Sequence, residues 1–288
     1  MPRVAILGDI HGNLPALEAV LEHVEQQAPD EVLVSGDLIG RGPQGTDVVR
    51  RIAATGWRCV RGNHEDYTLA FKRGTISEAW RSEEEWAASR WMGAELSDDA
   101  AAWVDALPHA FHSVMSPTLY LTHGTPRSNR EGLMPESDDD DLRFHLAQAG
   151  SPVLLCGHTH RSMHRIVDGN HVINVGSVGL PFNGDRRAQY AIVACDEGRV
   201  DVTFHCVPYD HERFLDHYRS SGFLAEGGVT SRLLADEVQH AFPCLVPFLA
   251  WARATGRPAT SESLPAFRAL FRPGMTIGAL LRAIAEDS

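Results

Sequence analysis

Cysteine is scarce and scattered in this chain of 288 residues. The five thiols, Cys59, Cys156, Cys195, Cys206 and Cys244, are odd in number and far apart, which excludes a disulfide framework, a zinc knuckle and a CxxC redox motif. A reducing cytoplasm suits them. Basic residues are also in deficit, with 26 Lys and Arg against 38 Asp and Glu and a formal net charge of −12. Affinity for a nucleic-acid backbone comes from cations that neutralise phosphates, so a long duplex is excluded as a substrate. Long apolar runs are missing as well. Residues 4–7 are too few for a secretory signal. The apolar stretch 241–252 carries Pro243 and Pro247 and falls short of the about 20 residues that cross a bilayer. No export and no membrane partner are expected, and 241–252 reads as core or interface.

A hydrophobic content of 43% in this length supports one large α/β domain, with or without a helical appendage. Short β-type runs occur at 3–7, 31–35, 57–61, 119–122 and 153–156. Amphipathic helical patterns at 14–27 and 46–55 separate the first three. Strands alternating with helices imply parallel βαβ units, whose ligands bind beyond the carboxyl ends of the strands. Residues 66–107 interrupt the rhythm with a helical, Trp-rich stretch that reads as an inserted cap. Its tryptophans, Trp80, Trp86, Trp91 and Trp103, suit the core of that cap better than a base-stacking surface. The acids 138–141 fit the start of a helix running to 149, where they complement its dipole. Strands are expected again at 163–167, 171–175, 189–194 and 200–206, with Asp168-Gly169-Asn170 as a hairpin turn. The chain from 211 onward reads as helical.

Five polar segments follow the first five β-type runs: Gly8-Asp9-Ile10-His11-Gly12-Asn13, Gly36-Asp37, Gly62-Asn63-His64-Glu65, Thr122-His123-Gly124 and Gly157-His158-Thr159-His160. Each places a metal-ligating side chain beside a glycine that lets the backbone turn sharply off the strand. One such segment is weak support for a metal site. Five in this order, each at a strand end, are not an accident of composition.

Together the segments resemble the D-x-H, G-D, G-N-H and G-H-x-H blocks of the calcineurin-like metallophosphoesterase superfamily, over residues 4–179. Asn174 to Gly179 is similar to a late strand and loop of its bacterial members. The resemblance implies an α/β fold of two facing β-sheets flanked by helices, occupying 1–210 with the cap inserted, and a helical extension over 211–288. It further implies two divalent transition-metal ions, Mn foremost with Fe or Zn as alternatives. Carried across by position, Asp9, His11 and His160 would hold one ion, Asn63, His123 and His158 the other, and Asp37 would bridge both. Two divalent ions about 3.5 Å apart repel by roughly 19 kcal/mol at an effective dielectric of about 20, which is why a shared carboxylate is needed.

The resemblance casts His64 as the catalytic histidine that protonates the leaving oxygen, and Arg41 as a phosphate-binding arginine whose planar fork takes two oxygens at once. The activity it implies is hydrolysis of small phosphate esters, foremost nucleotide-type phosphodiesters such as cyclic nucleotides, with some phosphomonoesterase activity. Dinucleoside tetraphosphates and phosphoproteins are the alternative substrates, although Gly40 stands where phosphoprotein phosphatases carry Asp. A metal-free scaffold is disfavoured by the intact ligand set. Histidines outside the five segments, His164 included, are expected at the surface or in packing, and Arg127 and Arg130 in solvated loops. The tail is expected to serve packing or self-association, with a homodimer as the partner reading.

Overall fold

A computed structural model describes residues 1–196 and 199–287. Its strands are β1 (Arg3–Leu7), β2 (Glu31–Val34), β3 (Arg58–Cys59), β4 (Ala110–His112), β5 (Leu119–Thr122), β6 (Val153–Cys156), β7 (Met163–Val167), β8 (Asn170–Asn174), β9 (Ala188–Asp196) and β10 (Arg199–Val207). They form two five-stranded sheets, in the orders β10-β9-β1-β2-β3 and β4-β5-β6-β8-β7. β1, β2 and β3 run parallel in the first sheet, as do β5, β6 and β8 in the second.

The apolar run of β1 has a physical cause, since both of its faces are covered. Val4 and Ile6 join Leu121, Leu155 and Ile173 in a core between the sheets, while Ala5 and Leu7 meet Leu17, Val20 and Val48 from the flanking helices. Those helices are Leu14–Gln27, whose first turn is capped by the Asn13 side chain, and Gly45–Ala53. On the far side of the second sheet, Leu142 and Leu146 of helix Asp139–Ala149 pack on Leu154 and Val172. Asp168 and Gly169 both have positive φ, as the two-residue turn joining β7 to β8 requires.

Three expectations need correction. β3 pairs over two residues only, because Arg61 N–H leaves β2 and bonds to the Pro108 carbonyl. β4 leaves no mark on the sequence; three residues ending at His112 are too short for a periodic signal. The insert's first helix begins at Asn63 and runs to Arg73, so Asn63 and His64 sit in its opening turn rather than on a loop. In the insert Phe71, Trp80 and Trp86 stack on one another, with centroids 4.4 to 6.0 Å apart.

Beyond β10 the chain is helical: His211–Ser220, Phe223–Glu226, Gly228–His240, Leu245–Thr255, Leu264–Leu270 and Ile277–Asp287. The stretch 241–252 is core here. Phe248 and Trp251 are fully buried against Leu264 and Phe267, and Val246 alone of its large apolar side chains is well exposed. The ground for expecting a self-association face at that stretch is thereby removed.

Candidate metal centre

The two sheets bring the five polar segments to one edge. Asp9 and His11 follow β1, Asp37 follows β2, Asn63 follows β3, His123 follows β5, and His158 and His160 follow β6. Nine non-glycine residues among those described have positive φ, and six of them are Asp9, His11, Asp37, Arg41, His158 and His160. Each such conformation costs on the order of 1–3 kcal/mol, so strain is concentrated where side chains must turn back over the strand ends. The surrounding hydrogen bonds over-determine it. Asp9 N–H and His11 N–H donate to the carbonyls of Gly36 and Asp37, and Ser177 Oγ donates to the Asp9 carbonyl at 2.7 Å. Asn174 Nδ2 donates to the Gly157 carbonyl at 2.6 Å, which ties the late strand to the His158 loop.

Three groups of side chains lie within reach of a common ion: Asp9, His11 and His160; His11, Asp37 and His64; and Asp37, His123 and His158. Asn63 joins the last through its Oδ1, 2.9 Å from both His123 Nε2 and His158 Nδ1. Asp37 Oδ2 stands 3.7 Å from His11 Nε2 and 3.3 Å from His123 Nε2, between the two clusters. All seven ligand candidates therefore converge, and His64 lies beside them.

The donor chemistry fits cations. His11 Nδ1 faces the Ile39 carbonyl and His160 Nδ1 faces the Leu180 carbonyl, so both carry their proton on Nδ1. Their Nε2 atoms are then bare lone pairs, and they face each other at 2.9 Å. Two lone pairs this close repel unless a positive charge lies between or beside them. Burial, followed by the charge of His160, pushes His11 well below the usual imidazole range. At the other cluster, burial opposes protonation of His123, yet Asp37 and Asp9 push it up to about 10. The carboxylates demand a positive charge at that nitrogen. Burial would raise the Asp37 carboxyl, but His123 and His64 hold it well below the usual carboxylate range.

Glu65 holds the Asp37 loop in place, a role with little signal in the sequence. Its buried carboxylate accepts N–H bonds from Asp37 (2.9 Å), Leu38 (2.8 Å), Ile39 (3.3 Å) and Gly62 (2.7 Å). Four donors around one carboxylate lock the loop after β2 to the start of the Asn63 helix. The available signal was an acid three residues after Gly62, the capping-box position. Gly62 itself is required, because a Cβ there would overlap the Asp37 carboxylate.

Arg41 and His64 touch. Arg41 Nε donates to His64 Nε2 at 3.3 Å, and burial, aided by the Arg41 charge against the pull of Asp37, pushes His64 down to about 3. Arg41 Nη1 donates to Glu237 Oε2 at 2.8 Å, and Tyr218 Oη donates to the Arg41 carbonyl at 2.6 Å. Glu237 and Tyr218 belong to the C-terminal helices. The expectation that this tail serves only packing or self-association is therefore incomplete, since it grips a site residue. Arg127 is paired with Glu131, Arg130 lies 4.8 Å over the Tyr67 ring, and His164 pairs with His171 rather than with the cluster.

Residues 3–198 match the profile of the calcineurin-like phosphoesterase superfamily domain. An uncharacterized protein of Methanocaldococcus jannaschii is 26% identical over 225 residues, covering 72% of this chain and 88% of that one. A symmetrical bis(5'-nucleosyl)-tetraphosphatase of Paracidovorax citrulli is 41% identical over 146 residues, 49% of this chain and 48% of that protein. Among solved structures, a metallophosphoesterase from Sphaerobacter thermophilus superposes with a TM-score of 0.64 at 26% identity, covering 78% of this chain and 99% of its own. A hypothetical protein from Pyrococcus horikoshii OT3 shares the fold, with a TM-score of 0.68 at 18% identity over 84% of this chain and all of its own. With two facing mixed sheets and a cation-demanding cluster at their shared edge, this chain belongs to the calcineurin-like phosphoesterase superfamily and is a metal-dependent phosphoester hydrolase.

Proposed function

We propose that the chain hydrolyses small organic phosphate esters of nucleotide type, with two divalent transition ions held by Asp9, His11, Asp37, Asn63, His123, His158 and His160. The observation that carries this reading is the pair of imidazole lone pairs at 2.9 Å beside a carboxylate shared with a second cluster. Mixed imidazole, carboxylate and amide donors suit Mn, Fe or Zn better than Mg. Two such ions supply Lewis acidity for phosphoryl oxygens and lower the pKa of water toward about 7.

The chain's own residues do the rest. Arg41 presents its guanidinium at the rim of the cluster, tethered by Glu237, and binds a non-bridging phosphoryl oxygen. His64 faces the leaving oxygen and hands it a proton. Substrate charge, together with Arg41 turning from His64 to the phosphate, raises the imidazole pKa toward that task. The departure of Gly40 from the phosphoprotein-phosphatase pattern argues against that substrate, and a Cβ at Gly40 would meet the His64 ring. The partial likeness to the Paracidovorax tetraphosphatase supports dinucleoside tetraphosphates as a second substrate reading.

The test is metal analysis of protein purified without chelator, followed by a screen with Mn²⁺ of nucleoside monophosphates, cyclic nucleotides, dinucleoside tetraphosphates and phosphopeptides. About two transition ions per chain and turnover of nucleotide esters are expected. Turnover of phosphopeptides alone would overturn the substrate class, and a chain that binds no metal would overturn the centre.

A further inference from the structure

A cavity of about 250 Å³ opens beside the metal cluster, with Arg41, Asn63 and His64 at one end. Its walls come from two regions that the sequence kept far apart. Tyr67, Trp86 and Met92 belong to the insert, whereas Leu234, Leu245 and Leu249 belong to the C-terminal helices. The latter lie beyond the residues 3–198 that match the family profile, so this wall comes from outside the matched domain. Thr230 Oγ1 clips the two regions together by donating to the Glu85 carbonyl at 2.5 Å.

We infer that this cavity receives the organic group esterified to the phosphate, and that it selects a flat, uncharged ring system, a nucleobase or an aryl group. The inference rests on the phosphoesterase reading above. Continuity is the first argument, because a phosphate against Arg41, Asn63 and His64 leaves its ester substituent facing the apolar walls. Charge is the second. Arg41 is the only cation in the lining and is already paired with Glu237, while Glu85 adds a carboxyl-bearing side chain to the wall. An additional run of phosphates would meet Glu85 there and no free cation, so the group inside the cavity is uncharged. Rigidity is the third. Trp86 is stacked on Trp80 at 4.4 Å, and Tyr67 is held between His64, edge-on at 5.8 Å, and Arg130, 4.8 Å over its ring. Aromatic walls fixed in advance favour a planar guest, because little side-chain freedom is lost on binding.

Ser89 also lines the cavity, from the helix Ala87–Glu95, and makes no side-chain hydrogen bond among the described residues. Ser89→Phe fills the space without removing any wall or ligand. The experiment measures calorimetric binding of AMP, of ribose 5-phosphate, which lacks the base, and of 1-naphthyl phosphate to the Mn²⁺-loaded full chain and to the variant. The native chain should bind AMP or 1-naphthyl phosphate about tenfold or more tighter than ribose 5-phosphate, the usual scale for stacking one ring. Whichever of the two binds tighter distinguishes nucleobase from aryl. Ser89→Phe should abolish the preference and leave ribose 5-phosphate within about twofold. If Ser89→Phe fails to show a cooperative thermal transition, the smaller Ser89→Leu should reduce the preference in the same direction. No preference in the native chain, or a preference that survives filling in a folded variant, would overturn the inference. Failure of the phosphoesterase reading would show separately, as a native chain that keeps the binding preference and turns over none of these esters.

Discussion

Glu237→Gln measures how far the C-terminal helices hold the site. Glu237 is fully buried; its Oε1 accepts the N–H groups of Cys244 and Leu245 at 2.8 and 2.9 Å, and its Oε2 accepts from Arg41 Nη1 at 2.8 Å. Glutamine keeps an oxygen for the two backbone donors and turns an NH₂ toward the guanidinium, so one charge-assisted bond is lost and the helix start is spared. Such a bond is worth about 1.5–3 kcal/mol. The larger loss of about 3–5 kcal/mol, seen when a fully buried ion pair is broken, does not apply. The Arg41 side chain is 16% exposed and can turn to water. At an unfolding entropy of about 2.1 cal/mol/K per residue the chain unfolds with about 0.6 kcal/mol/K, so a loss of about 2.5 kcal/mol lowers Tm by about 4 °C. Scanning calorimetry reads that shift. Steady-state kinetics on a phosphate ester should show KM raised by about tenfold at unchanged metal content, since Arg41 loses its tether and the ligands do not. An unchanged Tm with unchanged KM would refute the clamp, and loss of metal would make Glu237 part of the ligand scaffold instead.

Three further outcomes are expected. Glu65→Gln reverses the polarity of one oxygen that now takes two buried N–H groups, from Asp37 and Gly62, and should cost about 3–6 kcal/mol, read as a large fall in the chemical-denaturation midpoint; a midpoint like that of the native chain would remove its structural role. Asp37→Asn should lose activity together with one or both metals by elemental analysis, because the shared carboxylate offsets the repulsion between two ions; two tightly held metals with normal turnover would sink the bridging assignment. His64→Ala should lower kcat by about 10²- to 10⁴-fold for a nucleotide ester and less for an activated aryl phosphate, whose leaving group needs no proton. Equal losses on both substrates at matched metal content would discard the proton-donor role.

The seven ligand candidates were legible because each lies within a few residues of an apolar β-run and a glycine. That chemistry is local, since a side chain that must meet its neighbours at a strand end needs a chain able to turn there. The six positive-φ residues of the site are its physical imprint. Both faces of β1 being buried likewise followed from an unbroken apolar run, and the Asp168-Gly169 turn from its dipeptide. Glu65 carried only a weak signal, one acid among 38 acidic residues, and its four N–H partners come from a loop 26 to 28 residues away and from Gly62.

Nothing in the order of residues joined Arg41 to Glu237, which stand 196 positions apart. Composition could state that 241–252 is apolar, but a buried helix and a sticky surface have the same composition. Only the packing of Phe248 and Trp251 on Leu264 and Phe267 decided between them. The cavity beside His64 is of the same kind. Its apolar residues read as ordinary core when taken in sequence, and they become walls only because the insert and the C-terminal helices meet without closing the gap. In this protein the amino-acid order determined the ligand candidates, whose placement depends on short-range backbone geometry. The tertiary structure decided the tether on Arg41 and the shape of the space beyond it, because both arise from the docking of helices distant in the chain, and docking leaves no periodic mark on a sequence.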